Sequence, residues 1–312
     1  MRWMGAALAL AERGRGRTAP NPNVGCVIVR DGAVVGRGWT QPGGRPHAEA
    51  MALAQAGEKS RGATVYVTLE PCAHESPRGP ACSNLLIAAG VARVVVALGD
   101  PDPRTNGAGA ARLRAAGIDI VEGVRTEEAR RSMAGFLTRL ARGRPFVTLK
   151  LATSLDGRIA LASGESKWIT GPEARAHTHL ERARHEAILV GRRTMEIDTP
   201  RLDVRLPGLE DRSPRRLVLS SAGELKRPED IAKLEGTNHL FVEGGAETAA
   251  SFLRADLVDR LLLYRAPILI GGDGRPALGD IGLTRLGDAH GCWRLHDSRM
   301  LGSDRLEVYE RA

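Results

Sequence analysis

The chain has 312 residues, 42% hydrophobic and 26% charged, which excludes a disordered or membrane-spanning protein and suits two globular α/β domains. The formal net charge of +8 raises the question of nucleic-acid binding, but the basic residues are scattered and aromatic residues make up only 4%. Few side chains are left to stack on exposed bases, so neither nucleic acid nor a membrane is expected as a partner. Four cysteines are too few for a disulfide framework, and a reducing cytoplasm is the expected location.

The first half alternates between helix and strand patterns, which predicts a sheet covered by helices on both faces. An amphipathic helix is predicted at the N-terminus. Strands are predicted at 24–29 and 33–38, joined by a tight turn at Asp31 and Gly32. Further helices are predicted at 46–56, 82–89, 108–116 and 126–141, and further strands at 64–68, 91–97 and 118–121.

The apolar pattern breaks at residues 142–145 and restarts at Phe146, which predicts a domain boundary between residues 1–143 and 144–312. Strands are predicted in the second half at 146–152, 186–190, 216–219, 239–242 and 261–264. Gly244 and Gly245 follow the fourth of these strands and precede a predicted helix, where bare backbone amides can bind phosphate. A simple turn explains such a pair more often, so the pair alone does not identify a nucleotide site.

The strongest chemical signal is a set of zinc-binding residue types at the predicted strand-to-helix junctions. His47 opens one helix, Cys72 follows a strand, and Cys82 opens the next helix. One imidazole and two thiolates hold zinc tetrahedrally and leave its fourth position for water. Glu49 lies in the same turn as His47 and is not needed as a ligand, so it is predicted to transfer protons in a hydrolytic deamination.

The spacing of the two cysteines leaves other interpretations open. The deaminase signature ends in Pro-Cys-x-x-Cys, whereas nine residues separate Cys72 from Cys82 here. A structural zinc site would normally recruit a fourth protein ligand, and His74 is the residue that could supply it. Alternatively, His74 contacts substrate at the mouth of the pocket. A nucleic-acid base deaminase, or a non-catalytic assembly protein with structural zinc, also remains open.

Taken together, the motifs resemble the bifunctional riboflavin-biosynthesis deaminase-reductase family, and the resemblance runs over nearly the whole chain. The motifs that carry it are Asn21–Gly25, His47–Glu49, Leu69–His74, Asp100–Pro103, Ser154–Gly157, Ser166–Thr170 and Val242–Gly245. The resemblance implies an α/β fold with a cytidine-deaminase-like three-layer α/β/α domain, followed by a dihydrofolate-reductase-like α/β domain. It also implies two reactions on small phosphoribosylated pyrimidines: zinc-dependent deamination, and NADPH-dependent reduction of the ribosyl group to ribityl. A homo-oligomer, dimer or larger, is expected.

The resemblance also implies roles for individual residues. His47, Cys72 and Cys82 would bind Zn²⁺, and Glu49 would be the catalytic proton carrier. Asn23, His74 and Asp100 would line the deaminase pocket. NADPH would contact Ala152, Trp168, Thr194, Asp198, Gly245, Ala246, Glu247 and Thr248. The reductase substrate would contact Lys150, Ser166, Arg182, Leu202, Arg205 and Glu243, with the arginines suited to its phosphate.

Several positions depart from the family pattern. The loop between the zinc cysteines is one residue longer than usual, and Arg78 is the nearest match to the basic residue expected in it. Thr40 stands where histidine is often found, and Asp102 where asparagine is common. The second domain is shorter than usual between about residues 206 and 238. These features keep open a protein that only deaminates, with a non-catalytic second domain.

Some single residues also have ordinary structural explanations. Arg182 could be a solvated helix arginine, and Trp168 could belong to the core. Cys26 lies within a predicted strand and is expected to serve packing. The histidines His177, His179 and His185 are predicted to lie on a helix surface.

Overall fold

The computed structural model describes residues 1–312, which form two compact units, Met1–Gly143 and Arg144–Ala312. Both units combine one main β-sheet with α-helices. No helix combines the length and the apolar character that a membrane crossing requires.

The first unit contains a five-stranded sheet in the order β2-β1-β3-β4-β5. Its strands are β1 (Gly25–Arg30), β2 (Ala33–Trp39), β3 (Thr64–Val67), β4 (Arg93–Val96) and β5 (Asp119–Val121). Its helices are α1 (Arg2–Ala11), α2 (Ala48–Ala56), α3 (Cys82–Ala88), α4 (Ala108–Ala115), α5 (Thr126–Ser132) and α6 (Ala134–Arg142). β1 is antiparallel to β2 and β3, whereas β3, β4 and β5 are parallel, so their carboxyl ends meet at one edge of the sheet.

Glycines on the first two strands let two helices lie very close to this sheet. A Cβ on Gly25 would lie 1.9 Å from the Ala7 carbonyl oxygen of α1. A Cβ on Gly38 would lie 2.1 Å from the Ala48 carbonyl oxygen of α2. Gly38 pairs with Cys26, the residue after Gly25. Because neighbouring residues of a strand point to opposite faces of the sheet, Gly25 and Gly38 face opposite sides. The two helices therefore cover opposite faces, as the alternating pattern predicts.

The second unit contains a seven-stranded sheet in the order β13-β14-β11-β6-β10-β8-β9 and a two-stranded sheet of β7 and β12. The strands are β6 (Phe146–Thr153), β7 (Arg158–Ala160), β8 (Ala187–Gly191), β9 (Arg215–Leu219), β10 (His239–Val242), β11 (Arg260–Arg265), β12 (Arg275–Pro276), β13 (Trp293–Leu301) and β14 (Asp304–Arg311). The helices are α7 (Pro172–Arg182), α8 (Arg192–Asp198) and α9 (Ala246–Arg254). The five strands from β11 to β9 in this order are parallel, which brings the loops after β6, β8 and β10 to the same edge.

The structure corrects several local predictions. The helix predicted at 126–141 is two helices that meet at Met133, whose side chain is fully buried. His185 is not on a helix surface: it lies beyond the end of α7, is 1% exposed, and contacts the Thr148 hydroxyl at 3.0 Å. Residues 206–238 contain β9 and two 3₁₀ turns, Glu210–Arg212 and Pro228–Lys233, but no α-helix.

Candidate functional site

Three metal-ligating side chains come together in the first unit. The His47 Nδ1 lies 3.3 Å from the Cys82 Sγ and 3.7 Å from the Cys72 Sγ. All three ligand atoms lie within 4.8 Å of one another, with both cysteines buried. This donor set of one imidazole nitrogen and two sulfur atoms is one that zinc prefers. His74 lies outside the cluster, and its Nδ1 is 3.4 Å from the Thr105 hydroxyl, so the three side chains would hold a metal without it.

Local structure explains why these residues meet. His47 is the N-cap residue of α2, with an extended backbone, and Cys82 is the first residue of α3. The backbone N–H of Cys82 donates to the Cys72 Sγ at 3.3 Å, as expected for a thiolate at a helix start. The hydrogen bond from the Cys82 thiol, opposed by burial, lowers the pKa of Cys72 to about 4.

Glu49 lies in the first turn of α2, directly beside this cluster. Its side chain is 3% exposed and interacts with the Cys82 thiol. Burial is the main reason that its pKa rises to about 7, and His47 partly offsets the rise. A carboxyl group with such a pKa can both accept and release a proton near neutral pH. Cys26 is fully buried within β1, in agreement with a packing role.

The asparagine nearest to the cluster is Asn21. Its Nδ2 lies 3.2 Å from the His47 Nε2 and donates to the Gly44 carbonyl at 3.0 Å. Asn23, the residue predicted to line the pocket, is buried, and its amide donates to the Ser132 hydroxyl at 3.2 Å. Sequence analysis therefore missed Asn21. The only signal for it was its place in the same Asn-Pro-Asn motif.

A buried carboxylate organises the segments around Cys72. Glu70 accepts backbone hydrogen bonds from Asp100 at 3.2 Å, and from Gly107 and Ala110 at 3.0 Å each. Asp100 is itself buried, and burial raises its pKa to about 6. A Cβ on Gly109 would lie 1.9 Å from the Pro71 carbonyl oxygen, so α4 lies directly against the segment that leads to Cys72.

The residues that depart from the family pattern are also placed. In the long loop between Cys72 and Cys82, Ser76 and Gly79 form a tight turn with two backbone hydrogen bonds. Arg78 on that turn is exposed, and its guanidinium donates to the Gly43 carbonyl at 2.7 Å. Thr40 is buried and accepts a hydrogen bond from the Val24 backbone, so it serves the local fold.

A cluster of opposite charges lies at the sheet edge of the second unit. Arg182 forms two hydrogen bonds with the Glu243 carboxylate, at 2.6 and 3.1 Å, and the Lys150 Nζ lies 3.6 Å from it. Burial alone would raise the pKa of Glu243, but the positive charges of Lys150 and Arg182 together outweigh it, and the pKa is lowered. The side chain of Arg182 is only 12% exposed, so its interpretation as a solvated arginine is wrong.

The predicted cofactor residues mostly follow parallel strands at the same edge. Ala152 is near the end of β6, Thr194 and Asp198 lie on α8 after β8, and Gly245, Ala246, Glu247 and Thr248 form the start of α9 after β10. A Cβ on Gly191 would lie 2.3 Å from the Thr248 hydroxyl oxygen, which shows how closely the starts of α8 and α9 approach.

The remaining predicted residues lie in loops. Trp168 is 68% exposed and stacks with the Arg175 guanidinium at 4.7 Å, so a core role for it is wrong. Ser166 precedes it in the loop between β7 and α7 and is half-buried. After α8, Leu202 is buried in the core, whereas Arg205 is exposed.

Comparison with known proteins gives consistent matches to both units. The cytidine and deoxycytidylate deaminase zinc-binding region matches residues 1–98, and the RibD C-terminal domain matches residues 145–235 and 229–305. The riboflavin biosynthesis protein RibD of Escherichia coli K12 is 42% identical, covering 92% of this chain and 93% of that protein.

Two solved structures are similar to the whole chain. Acinetobacter baumannii RibD, form 1, is 36% identical with a TM-score of 0.86, and the match covers 100% of this chain and 98% of that one. A diaminohydroxyphosphoribosylaminopyrimidine deaminase/5-amino-6-(5-phosphoribosylamino)uracil reductase from Thermotoga maritima is 31% identical with a TM-score of 0.86 and the same coverage.

Proposed function

This chain belongs to the family of the riboflavin biosynthesis protein RibD, a bifunctional deaminase and reductase, and from that premise we propose which of its residues carry each reaction. It acts on small-molecule substrates. The first unit deaminates 2,5-diamino-6-(5-phosphoribosylamino)pyrimidin-4(3H)-one. The second unit then reduces the ribosyl group of 5-amino-6-(5-phosphoribosylamino)uracil to ribityl.

The first proposal is that His47, Cys72 and Cys82 hold Zn²⁺. The donor set of one nitrogen and two sulfur atoms, its burial and the helix-start contact at Cys82 all support this metal. Zinc at such a site supplies Lewis-acid activation of a water molecule for hydrolysis. Three protein ligands and an open position are the arrangement of catalytic sites, whereas structural zinc sites use four.

The second proposal is that Glu49 transfers the protons of the deamination. Its carboxyl group accepts the proton of the attacking water and delivers it to the ring nitrogen. It then takes the second proton, from the hydroxyl group that the water added to the ring carbon, and delivers it to the amine, which leaves as ammonia while that carbon becomes a carbonyl. Burial beside Cys82 keeps the carboxyl away from bulk water, so its protons go to the substrate. Asn23, His74 and Asp100 border the substrate pocket, and Asn21 supports the ring of His47.

The third proposal concerns NADPH, which supplies the hydride for the second reaction. The start of α8 lies close to that of α9, since a Cβ on Gly245 would be 3.7 Å from the Thr194 hydroxyl oxygen, and the backbone N–H groups and the Thr194 and Thr248 hydroxyls there would bind the diphosphate. The exposed indole of Trp168 offers a flat surface for a ring of the cofactor. Ala152, Asp198, Ala246 and Glu247 complete the proposed cofactor contacts.

The fourth proposal concerns the reductase substrate. Glu243 is fixed by Arg182 and Lys150, so its carboxylate is held ionised and oriented at the sheet edge. There it accepts hydrogen bonds from substrate hydroxyl groups, and Lys150 contacts the same substrate. Arg205 is exposed and binds the phosphate. Ser166 and Leu202 border the same space.

The cellular setting is proposed from the composition and the family. All four cysteines are free, and zinc-bound thiolates suit a reducing cytoplasm. Binding of nucleic acid or membrane is not proposed, because the basic residues are scattered. A homo-oligomer, dimer or larger, follows from the resemblance alone.

The observation that carries the proposal is the meeting of His47, Cys72 and Cys82 beside Glu49. The test is turnover of the freshly generated diaminopyrimidinone ribosyl-phosphate by the purified chain, with ammonia release and NADPH absorbance followed separately. Ammonia release together with NADPH loss is expected. Ammonia release without NADPH loss would favour the second candidate, a protein that only deaminates. The observation behind that candidate is that residues 206–238 contain no α-helix. The absence of both ammonia release and NADPH loss would refute the proposal.

A further inference from the structure

The loop that carries Arg205 is held to helix α7 by His179, a side chain with no role in the reactions described above. The ring Nδ1 of His179 is 3.0 Å from the Asp203 carbonyl oxygen. Its Nε2 is 3.3 Å from a terminal guanidinium nitrogen of Arg205. Arg182, one turn further along α7, donates to the same Asp203 carbonyl at 3.0 Å. One face of the helix therefore contacts both the backbone and the arginine of this loop.

A single neutral form of the His179 ring satisfies both contacts. Its Nδ1–H donates to the Asp203 carbonyl, and its Nε2 accepts from Arg205. The Arg205 backbone nitrogen is also 3.3 Å from Nδ1, and the shorter contact with Asp203 favours the hydrogen on Nδ1. Burial, followed by the charges of Arg182 and Arg205, lowers the pKa of His179, which favours the neutral ring.

The backbone of the loop is constrained on its other side as well. Thr199 and Leu202 have left-handed backbone angles, with φ of 39° and 54°, which is costly for residues that carry a Cβ. The Leu202 side chain is 3% exposed and packs in the core cluster that contains Ile188 and Phe241. Core packing on one side and α7 on the other fix the path of the chain up to Arg205.

These contacts orient the Arg205 guanidinium but do not occupy all of its N–H donors. One terminal nitrogen contacts His179, and the other lies 3.6 Å from an Asp203 carboxylate oxygen. A guanidinium carries five N–H donors, so donors remain for an anion, and the side chain is 46% exposed. An arginine that is ordered before its ligand arrives loses less conformational freedom on binding.

We propose that His179 is a positioning residue of the reductase half, which holds the Arg205 guanidinium in the orientation that binds the substrate phosphate. The inference rests on the proposed role of Arg205 as a substrate ligand. Loss of the contact is expected to raise KM for the substrate roughly two- to tenfold, the range for ordering one long side chain on binding, with kcat little changed.

The test measures NADPH oxidation by the full chain at varied concentrations of 5-amino-6-(5-phosphoribosylamino)uracil. In His179→Asn, the amide reaches the position of Nδ1 and keeps the Asp203 contact, but not the Arg205 contact. In His179→Gln, the amide reaches the position of Nε2 and offers Arg205 an acceptor. The Asn variant is expected to raise KM and the Gln variant to restore most of the original value. His290→Asn, at an exposed histidine, is the matched control.

Arg205→Ala, alone and combined with His179→Asn, completes a double-mutant cycle. Arg205→Ala is expected to raise KM, and His179→Asn to add nothing further in that background. The positioning role is overturned, while the proposed reductase function stands, in two cases. In the first, Arg205→Ala raises KM but His179→Asn alone does not. In the second, the increase in KM of the double variant equals the product of the two single increases. If the unaltered chain oxidises no NADPH, or if Arg205→Ala leaves KM unchanged, the proposed function of this site fails and the inference fails with it.

Discussion

Removal of the Glu70 carboxylate is predicted to loosen the framework around Cys72. Glu70→Ala removes the acceptor of three backbone N–H groups, those of Asp100, Gly107 and Ala110. Gly107 is exposed and can be hydrated, whereas the other two residues are buried. Two buried amides without acceptors, at about 1–3 kcal/mol each, give a loss of about 2–6 kcal/mol in the free energy of unfolding.

Glu70→Gln is predicted to have a smaller effect, because one oxygen remains. If the amide oxygen takes the place of Oε2, it keeps the bonds from Asp100 and Gly107, and only the bond from Ala110 is lost. The expected loss is then about 1–3 kcal/mol. An exposed neighbour, Glu75→Ala, is the matched control and is expected to stay within about 0.5 kcal/mol of the unaltered chain.

Two measurements check the Glu70 prediction. Urea unfolding gives the free energies, and hydrogen exchange followed by mass spectrometry reports the amides of residues 100–110 directly. Exchange in that segment is expected to be faster in Glu70→Gln than in the unaltered chain, and faster still in Glu70→Ala, while exchange in residues 144–312 stays unchanged. Equal stabilities of Glu70→Ala and Glu75→Ala, or unchanged exchange at 100–110, would refute the anchoring role of the carboxylate.

Glu49→Gln is expected to keep zinc but to lower ammonia release by about 10²–10⁴-fold, and Glu58→Gln, at an exposed glutamate, is the control. Metal analysis and an ammonia assay test this prediction. Loss of zinc in Glu49→Gln would contradict the assignment of Glu49 as a proton carrier that is not a ligand. Gly38→Ala places a Cβ 2.1 Å from the Ala48 carbonyl oxygen and is expected to destabilise the first unit by about 1–3 kcal/mol in urea unfolding, whereas an unchanged midpoint would show that α2 can move freely. Asp230 has a folded pKa of about 2, below its ordinary value of 3.8, so the stability that it contributes is present above about pH 4 and is lost as the pH falls towards 2. Asp230→Asn is therefore expected to lower the melting temperature much more at pH 7 than at pH 2, and an equal decrease at both would argue against the ionic contribution.

Much of the fold could be predicted because its central strands are almost continuously apolar. The strand at 239–242 was predicted with the bounds that β10 shows, and the predicted strand at 146–152 is one residue shorter than β6. The hairpin of β13 and β14 was not predicted. No side chain of β13 is fully buried and most are exposed, so the strand does not need the regular alternation of apolar and polar residues by which a strand is recognised. The break at Met133 was missed because a buried methionine fits one long helix as well as two short ones.

The candidate site was predictable as far as residue chemistry alone determines it. His47, Cys72 and Cys82 were recognised because few residue types bind zinc, and the structure brings their ligand atoms together. The contact of Asn21 with His47 could not be predicted in this way. Asn21 and Asn23 are two residues apart in one motif, and only the path of the backbone brings the amide of Asn21 to His47 and that of Asn23 to Ser132.

The contacts of Arg182 and His179 depend on tertiary structure in the same way. Arg182 meets Glu243, which is 61 residues away in sequence, and His179 meets Arg205 on a loop with left-handed backbone angles. Periodicity along a helix shows which residues share a face, but it does not show what packs against that face. The charge cluster and the positioning contact therefore emerge only from the folded chain.

Whether His47, Cys72 and Cys82 form an open zinc site is decided by the X-ray absorption spectrum of zinc in the purified chain. We expect two sulfur ligands at about 2.3 Å, from Cys72 and Cys82, and two nitrogen or oxygen ligands at about 2.0 Å, one from His47 and one from solvent. Cys82→Ser should remove one sulfur, and His74→Ala should leave the spectrum unchanged. A second imidazole that disappears in His74→Ala would show a closed structural site and refute the proposed catalytic zinc.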